Sequence, residues 1–161
     1  MTREMPKPVP VPTPETRPFW DGAAAGELRI QCCLDCGRPF FYPRTLCPNC
    51  GSEQVEWFTA SGRATLYSYV INHRPARGFE DETPYAIAVV QLAEGPRMMT
   101  SITGVPATPE ALVLDMPLRV AFEQRGDMAI PVFAPAGAPD EAPDEAPAEE
   151  SEEETDRTES A

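Results

Sequence analysis

Cys33-Leu34-Asp35-Cys36-Gly37 and, ten residues on, Cys47-Pro48-Asn49-Cys50-Gly51 decide how this chain is read. Two C-x-x-C-G knuckles joined by a short arm offer four thiolates, and Zn²⁺ takes four such soft ligands at about 2.3 Å. The two-residue spacer lets both sulfurs of a knuckle point into one turn. The glycine after each second cysteine carries the chain back under the metal at φ > 0 without a Cβ clash. Four thiolates leave no open coordination position, which marks a structural rather than a catalytic site. The expected ligands are therefore Cys33, Cys36, Cys47 and Cys50, with structural zinc as the cofactor and iron as the competing occupant. A redox pair needs only one C-x-x-C, normally inside a βαβ pattern that this sequence lacks. Disulfides suit a secreted chain, but no signal peptide precedes these cysteines, so a reducing cytoplasm is expected. Cys32, the fifth cysteine, reads as a bystander, because Cys33/Cys36 matches Cys47/Cys50.

Outward from the knuckles the charge is uneven. Of the formal −13, residues 1–18 carry a net of +1, residues 19–133 a net of −4 and residues 134–161 a net of −10. An acidic body argues against nucleic acid, whose sequence-independent affinity comes from cations neutralising phosphates. No apolar run approaches the length of a membrane span.

Residues 1–15 hold proline at positions 6, 8, 10, 12 and 14 and read as a disordered, extended leader. Residues 16–31 form a helix and a lead-in strand. The helix starts at Thr16-Arg17-Pro18, with a capping hydroxyl and a proline in the first turn, and stops at Gly26. Residues 32–54 form the metal ribbon, whose arm Pro39-Phe40-Phe41-Tyr42-Pro43 is aromatic between prolines. From Val55 the period changes to two. Arg63–His73 reads as one long strand with Leu66 and Val70 on one face and Tyr67, Tyr69 and Ile71 on the other. Tyr85–Leu92, Arg97–Thr103, a strand around Leu118–Glu123 and Met128–Phe133 follow, with a turn or two of helix in Pro106–Leu114. The fold class is thus mainly β: a short N-terminal helix, a rubredoxin-like four-cysteine ribbon, and a five-stranded OB-type Greek-key barrel over 55–134. Residues 135–161, built of Ala-Pro-Asp/Glu units and acids, cannot bury enough surface to order and are expected to be a disordered tail.

The succession of a Phe-Trp helix, Gly-Glu-Leu, the two knuckles, Tyr-Ser-Tyr on a long strand, Thr83-Pro84-Tyr85 and a barrel closing on Pro131-Val132-Phe133 resembles the zinc-ribbon/OB-fold proteins of acyl-CoA metabolism. The resemblance covers about Thr16–Ala134. It implies a non-catalytic accessory subunit of a thiolase-like enzyme: a thiolase, a hydroxymethylglutaryl-CoA synthase or a sterol-carrier-type retro-aldolase. It also implies a bridge in some cases to an enoyl-CoA hydratase, and help in holding the acyl-CoA. By the same analogy the ribbon and its leading helix make the partner contact, and the barrel faces the thioester.

Candidate residues follow from this. Arg44, Arg63, Arg74 and Arg77 are candidates for phosphate contacts, since the arginine fork suits phosphate. Tyr67, Tyr69, Phe79 and Tyr85 are candidates for an acyl channel, with barrel core as the alternative. Phe19, Trp20, Phe40, Phe41 and Tyr42 are candidates for the partner interface. The lone histidine, His73, has no local acid or nucleophile to make a dyad, so no catalytic residue is assigned. Two other classes compete: a single-strand nucleic-acid binder stacking bases on Tyr67 and Tyr69, and a four-cysteine iron electron carrier.

Overall fold

A computed structural model describes residues 6–137, so residues 1–5 and most of the acidic tail lie outside the described residues. The elements are α1 (Arg17–Ala24), β1 (Arg29–Cys33), β2 (Pro39–Phe40), β3 (Val55–Thr59), β4 (Arg63–Asn72), β5 (Tyr85–Leu92), β6 (Arg97–Ser101), β7 (Pro117–Arg125) and β8 (Met128–Pro135). They form two antiparallel sheets, a three-stranded one ordered β2-β1-β3 and a five-stranded one ordered β6-β5-β4-β7-β8. A parallel bridge between Ile102 and Phe133 brings the outer strands together and closes the barrel.

Helix α1 is too short to stand alone in water and is held by packing. Thr16 occupies the N-cap but does not cap the helix. Its hydroxyl instead accepts a hydrogen bond from the Thr13 N–H at 2.9 Å. The C-terminus ends in a Schellman arrangement, with Glu27 N–H donating to the Gly22 carbonyl and Gly26 N–H to the Ala23 carbonyl. Gly26 supplies the left-handed residue that this requires, at φ 77°. Phe19 is buried in a core shared with Leu28 and Ile30 of the lead-in and Leu66, Val90, Leu118 and Phe133 of the barrel. Helix, ribbon edge and barrel therefore share one continuous hydrophobic interior.

Two sequence expectations are corrected. Residues 55–59, which fall inside the 55–134 barrel bounds drawn from sequence, form β3 and pair along their whole length with β1, from Arg29↔Thr59 to Cys33↔Val55. The ribbon sheet thus extends past residue 54, because β2 has two residues and leaves most of β1 in need of a partner on its other edge. The faces of β4 also differ from simple alternation. Its pairing with β5 jumps from Leu66↔Val90 to Ser68↔Val89, leaving Tyr67 as the extra residue of a β-bulge. Every side chain beyond it changes face: Leu66 is fully buried, Val70 is 60 % exposed, and Tyr69 and Ile71 pack on the core. On the β7 side the loop fastens this point, with Leu66 N–H donating to the Met116 carbonyl and Asp115 N–H to the Leu66 carbonyl.

The described part of the leader lies along the barrel. Lys7 Nζ reaches Glu82 at 2.5 Å and Glu123 at 2.8 Å, and it sits 5.1 Å from the Phe79 ring centre. Partial burial works against the lysine charge, but the Glu123 and Glu82 carboxylates outweigh it and raise the pKa. The leader crosses so close over Gly78 that a Cβ there would stand 2.8 Å from Lys7 Cα. No helix among the described residues is long and apolar enough to cross a membrane.

The bulge makes a measurable claim. Leu66→Ala should cost about 2–5 kcal/mol by urea unfolding, whereas Val70→Ala should stay within about 0.5 kcal/mol. Comparable costs at the two positions would restore the unbroken alternation read from sequence.

Candidate metal centre

Both knuckles fold by the same backbone pattern. Gly37 N–H donates to the Cys33 carbonyl and Gly51 N–H to the Cys47 carbonyl, each at 2.9 Å. Cys33 N–H donates to the Arg38 carbonyl and Cys47 N–H to the Ser52 carbonyl, so each turn is closed twice. The two glycines sit at φ 66° and 77°, which only a residue without Cβ adopts cheaply. A side-chain bond joins the knuckles, Ser52 Oγ donating to Asp35 Oδ2 at 2.5 Å.

This geometry gathers the sulfurs of Cys33, Cys36, Cys47 and Cys50 within 4.8 Å of one another. Cys33 and Cys50 are 3.6 Å apart and Cys36 and Cys47 are 3.7 Å apart. A tetrahedron with metal–sulfur bonds of 2.3 Å has edges of about 3.8 Å, whereas a disulfide needs about 2.05 Å. The donor set thus fits a tetrahedral four-thiolate metal. Two ligands are buried, Cys36 is half-buried and Cys50 is exposed. For Cys47, burial opposes the thiolate, but the N–H groups of Cys50 and Asn49 overcome it and bring the pKa down to about 6. For Cys50, the Ser52 N–H favours the thiolate, but the adjoining Cys33 sulfur, burial and the other cysteines push the pKa up to about 12. Without a cation, four thiolates cannot coexist there. Cys32 is half-buried, outside the sulfur cluster, and its thiol is pushed up by burial and by Glu56.

The aromatic candidates separate. Phe40 is 5 % exposed and packs against Cys33 and Cys47, behind the sulfur cluster. Its neighbour Phe41 points the other way, 5.5 Å from the Phe19 ring, which in turn meets Trp20 edge-on at 4.8 Å. Phe19 and Phe40, proposed for a partner surface, are therefore interior. Phe19 packs in the core shared with the barrel and Phe40 against the ribbon cysteines, the interior alternatives to a partner surface. Trp20 and Phe41 are half-buried, and Tyr42 is 46 % exposed. On the same ribbon Leu34 and Leu46 are also exposed. Gln31, unremarked in the sequence, is buried, and its Oε1 accepts the Arg44 N–H at 2.7 Å, fixing the arm.

On the barrel, Tyr69 faces the core and Tyr67 the outside, where the Arg97 guanidinium lies 3.6 Å from its ring centre. Phe79 stacks on Tyr85 at 5.2 Å, and the Tyr85 hydroxyl accepts from Asn72 Nδ2 at 2.7 Å. These four rings do not share one channel lining. Nor do the four arginines converge: Arg44 is on the ribbon arm, Arg63 opens β4, and Arg74 and Arg77 lie beyond its far end. His73 is exposed just after β4.

The fit of the cluster predicts one zinc per chain and a colourless protein by elemental analysis and visible spectroscopy. Cys33→Ser should lose most of the metal and Cys32→Ser should retain it. Acid should release the ion, since protons compete for the thiolates as pH falls.

Both halves of the chain match described domains. Residues 20–56 match the family description "ChsH2, rubredoxin-like zinc ribbon domain", and residues 57–123 match "ChsH2, C-terminal OB-fold domain". The chain is 34 % identical over 120 residues to a probable enoyl-CoA hydratase alpha subunit of Thermomonospora curvata, covering 73 % of this chain but 37 % of that protein. It therefore spans little more than a third of that relative's length. It is 32 % identical over 93 residues to a DUF35 domain-containing scaffold protein of Methanothermobacter thermautotrophicus, covering 57 % of this chain and 68 % of that one. Among solved structures it matches a chain of the "Ltp2-ChsH2(DUF35) aldolase" at a TM-score of 0.70 and 30 % identity, covering 79 % of this chain and 98 % of that chain. With both halves matched and the sulfur cluster in place, this chain belongs to the ChsH2/DUF35 family of zinc-ribbon and OB-fold proteins.

Proposed function

We propose that this chain is a non-catalytic scaffold subunit that binds a thiolase-fold enzyme of acyl-CoA metabolism, with zinc as a structural clasp. The carrying observation is the likeness to a chain of an aldolase complex, which spans 98 % of that chain at 30 % identity. The chemistry agrees. A four-thiolate site has no open position for substrate, and His73 is exposed just after β4. The partner is a thiolase, a hydroxymethylglutaryl-CoA synthase or a retro-aldolase of sterol-carrier type, and an enoyl-CoA hydratase is a further partner.

The ribbon supplies the contact through Tyr42, Leu34 and Leu46, which are exposed and apolar beside a rigid metal site. Phe41 meets the Tyr42 ring edge-on at 5.3 Å, and half-buried Trp20 adds the helix to the contact. The barrel presents the outside of β4–β6 to the thioester, where Tyr67, Val70 and Met99 are exposed. Of the phosphate candidates Arg63 lies on this face, while Arg74 and Arg77 flank its far end.

Co-expression with the thiolase-fold enzyme of the same source should give a complex stable to gel filtration. The chain alone should show no thiolase or aldolase turnover. Tyr42→Ala should weaken the complex at least tenfold with zinc content unchanged. Failure to co-purify with such an enzyme, or thioester turnover by the isolated chain, would contradict the proposal.

A further inference from the structure

The leader meets the barrel where two parts of the fold come together. The loop 73–84 joins β4 to β5, and β7 turns into β8 at Gly126. Lys7 touches both. Its Nζ is 2.5 Å from Glu82 of the loop and 2.8 Å from Glu123 of β7, and it lies 5.1 Å from the ring centre of the loop's Phe79. The backbone is as close as the side chain: a Cβ at Gly78 would stand 2.8 Å from Lys7 Cα and 2.9 Å from the Pro6 carbonyl oxygen. Two residues on, Val9 passes the hairpin turn, its Cγ2 3.8 Å from where a Gly126 Cβ would be. Such a fit is that of a packed segment.

The span is anchored at its other end and stiff between. Thr16 and Arg17 N–H groups donate to the Thr13 carbonyl, and Thr13 N–H donates to Thr16 Oγ1, which fastens the leader to α1. Between Lys7 and Thr13 stand Pro8, Pro10 and Pro12. They favour the extended polyproline II form, about 19 Å over six steps, and they remove three backbone donors. Little chain entropy is lost when such a segment lies down. The hold at the Lys7 end is therefore ionic and aromatic, and it is unequal on its two sides. Glu123 Oε1 also accepts from Arg125 Nε at 2.8 Å, and the Arg125 guanidinium lies 5.3 Å from the Phe79 ring centre. The hairpin thus keeps its carboxylate paired without Lys7. Glu82, among the described residues, has Lys7 as its only ion-pair partner, and it follows Glu80 and Asp81.

From these observations we propose that the leader is a latch: with Lys7 in place it holds the 73–84 loop against the β7–β8 hairpin, and its withdrawal frees the loop while leaving the hairpin as it is. The loop's own fixture to the sheet is at Tyr85, which accepts from Asn72 Nδ2 at 2.7 Å and stacks on Phe79 at 5.2 Å. Its other side-chain bonds, Gly78 N–H to Glu80 Oε2 and Thr83 Oγ1 to the Glu80 carbonyl, tie the loop to itself. Lys7 is thus the clamp between Glu82 and the body of the barrel. What the clamp governs is the presentation of His73, Arg74 and Arg77, which are exposed on this loop. Whatever draws the leader off this end releases the two arginines from the position in which the latched loop holds them. The latch stands whether or not the chain is a scaffold subunit.

The test is backbone amide exchange of the full chain, followed by NMR in wild type, K7M and K7R. Gly78, Phe79 and Glu82 report on the loop, since their N–H groups donate to Glu80 Oε2, the Ala76 carbonyl and the Phe79 carbonyl. The paired residues 123–125 and 128–130 report on the hairpin. K7M should speed exchange at the three loop amides about fivefold or more and leave the hairpin within about twofold of wild type. K7R, which keeps the charge, should match wild type. Loop exchange in K7M within about twofold of wild type would overturn the latch. So would K7R behaving like K7M, or equal acceleration at loop and hairpin. Loop protection in wild type that rises with protein concentration would also overturn it, since the leader would then be holding another copy.

Discussion

Four sulfur atoms held within 4.8 Å of one another are the constraint on which the ribbon depends. Four adjacent thiolates repel, and the opposed pKa values of Cys47 and Cys50, about 6 and about 12, express that conflict. A divalent cation removes it. The apolar contribution of the ribbon is small, since behind the sulfurs only Phe40 is buried with Cys33 and Cys47, and Val55 packs at their edge. Zinc binding contributes about 10–16 kcal/mol in isolated finger peptides, far more than so few side chains can supply. The backbone turns at Gly37 and Gly51 and the Asp35–Ser52 bond shape the cage, but the ion holds it shut.

The clasp matters beyond the ribbon because β1 is common to both halves. Its Cys33 faces the metal cluster, while Ile30 lies in the core that continues through Phe19 and Leu28 to Leu66 and Phe133. Phe40, which ends β2, and Phe41 just after it repeat that division, one ring behind the sulfurs and the next against the helix. Ribbon, helix and barrel are thereby fixed in one orientation. A scaffold needs that rigidity, since a partner that meets the ribbon then meets the barrel at a defined angle.

Much of this was legible in the sequence for local reasons. The i, i+3 cysteine spacing followed by glycine encodes a metal knuckle wherever it sits, and the short apolar run Tyr85–Leu92, apolar on both faces, encodes a central strand. What could not be read was non-local. The bulge at Tyr67 adds a residue without altering composition, so Val70 looked like a neighbour of Leu66 and is on the opposite face. Val55–Thr59 has a strand's sequence whichever sheet receives it, and only pairing with β1 assigns it to the ribbon. Phe19 looked surplus to a small ribbon because the shared interior is a property of the assembled halves.

The central claim is that a single metal ion holds the two knuckles together, while the hydrophobic interior centred on the barrel keeps β4 to β8 folded. The most direct measurement is the backbone amide spectrum of the full chain before and after removal of the metal by a strong chelator. The account predicts loss of dispersed signals from residues 31–56, persistence of those from β4 to β8, and recovery when one equivalent of zinc is returned. A metal-stripped protein whose ribbon signals stay where they were would contradict it.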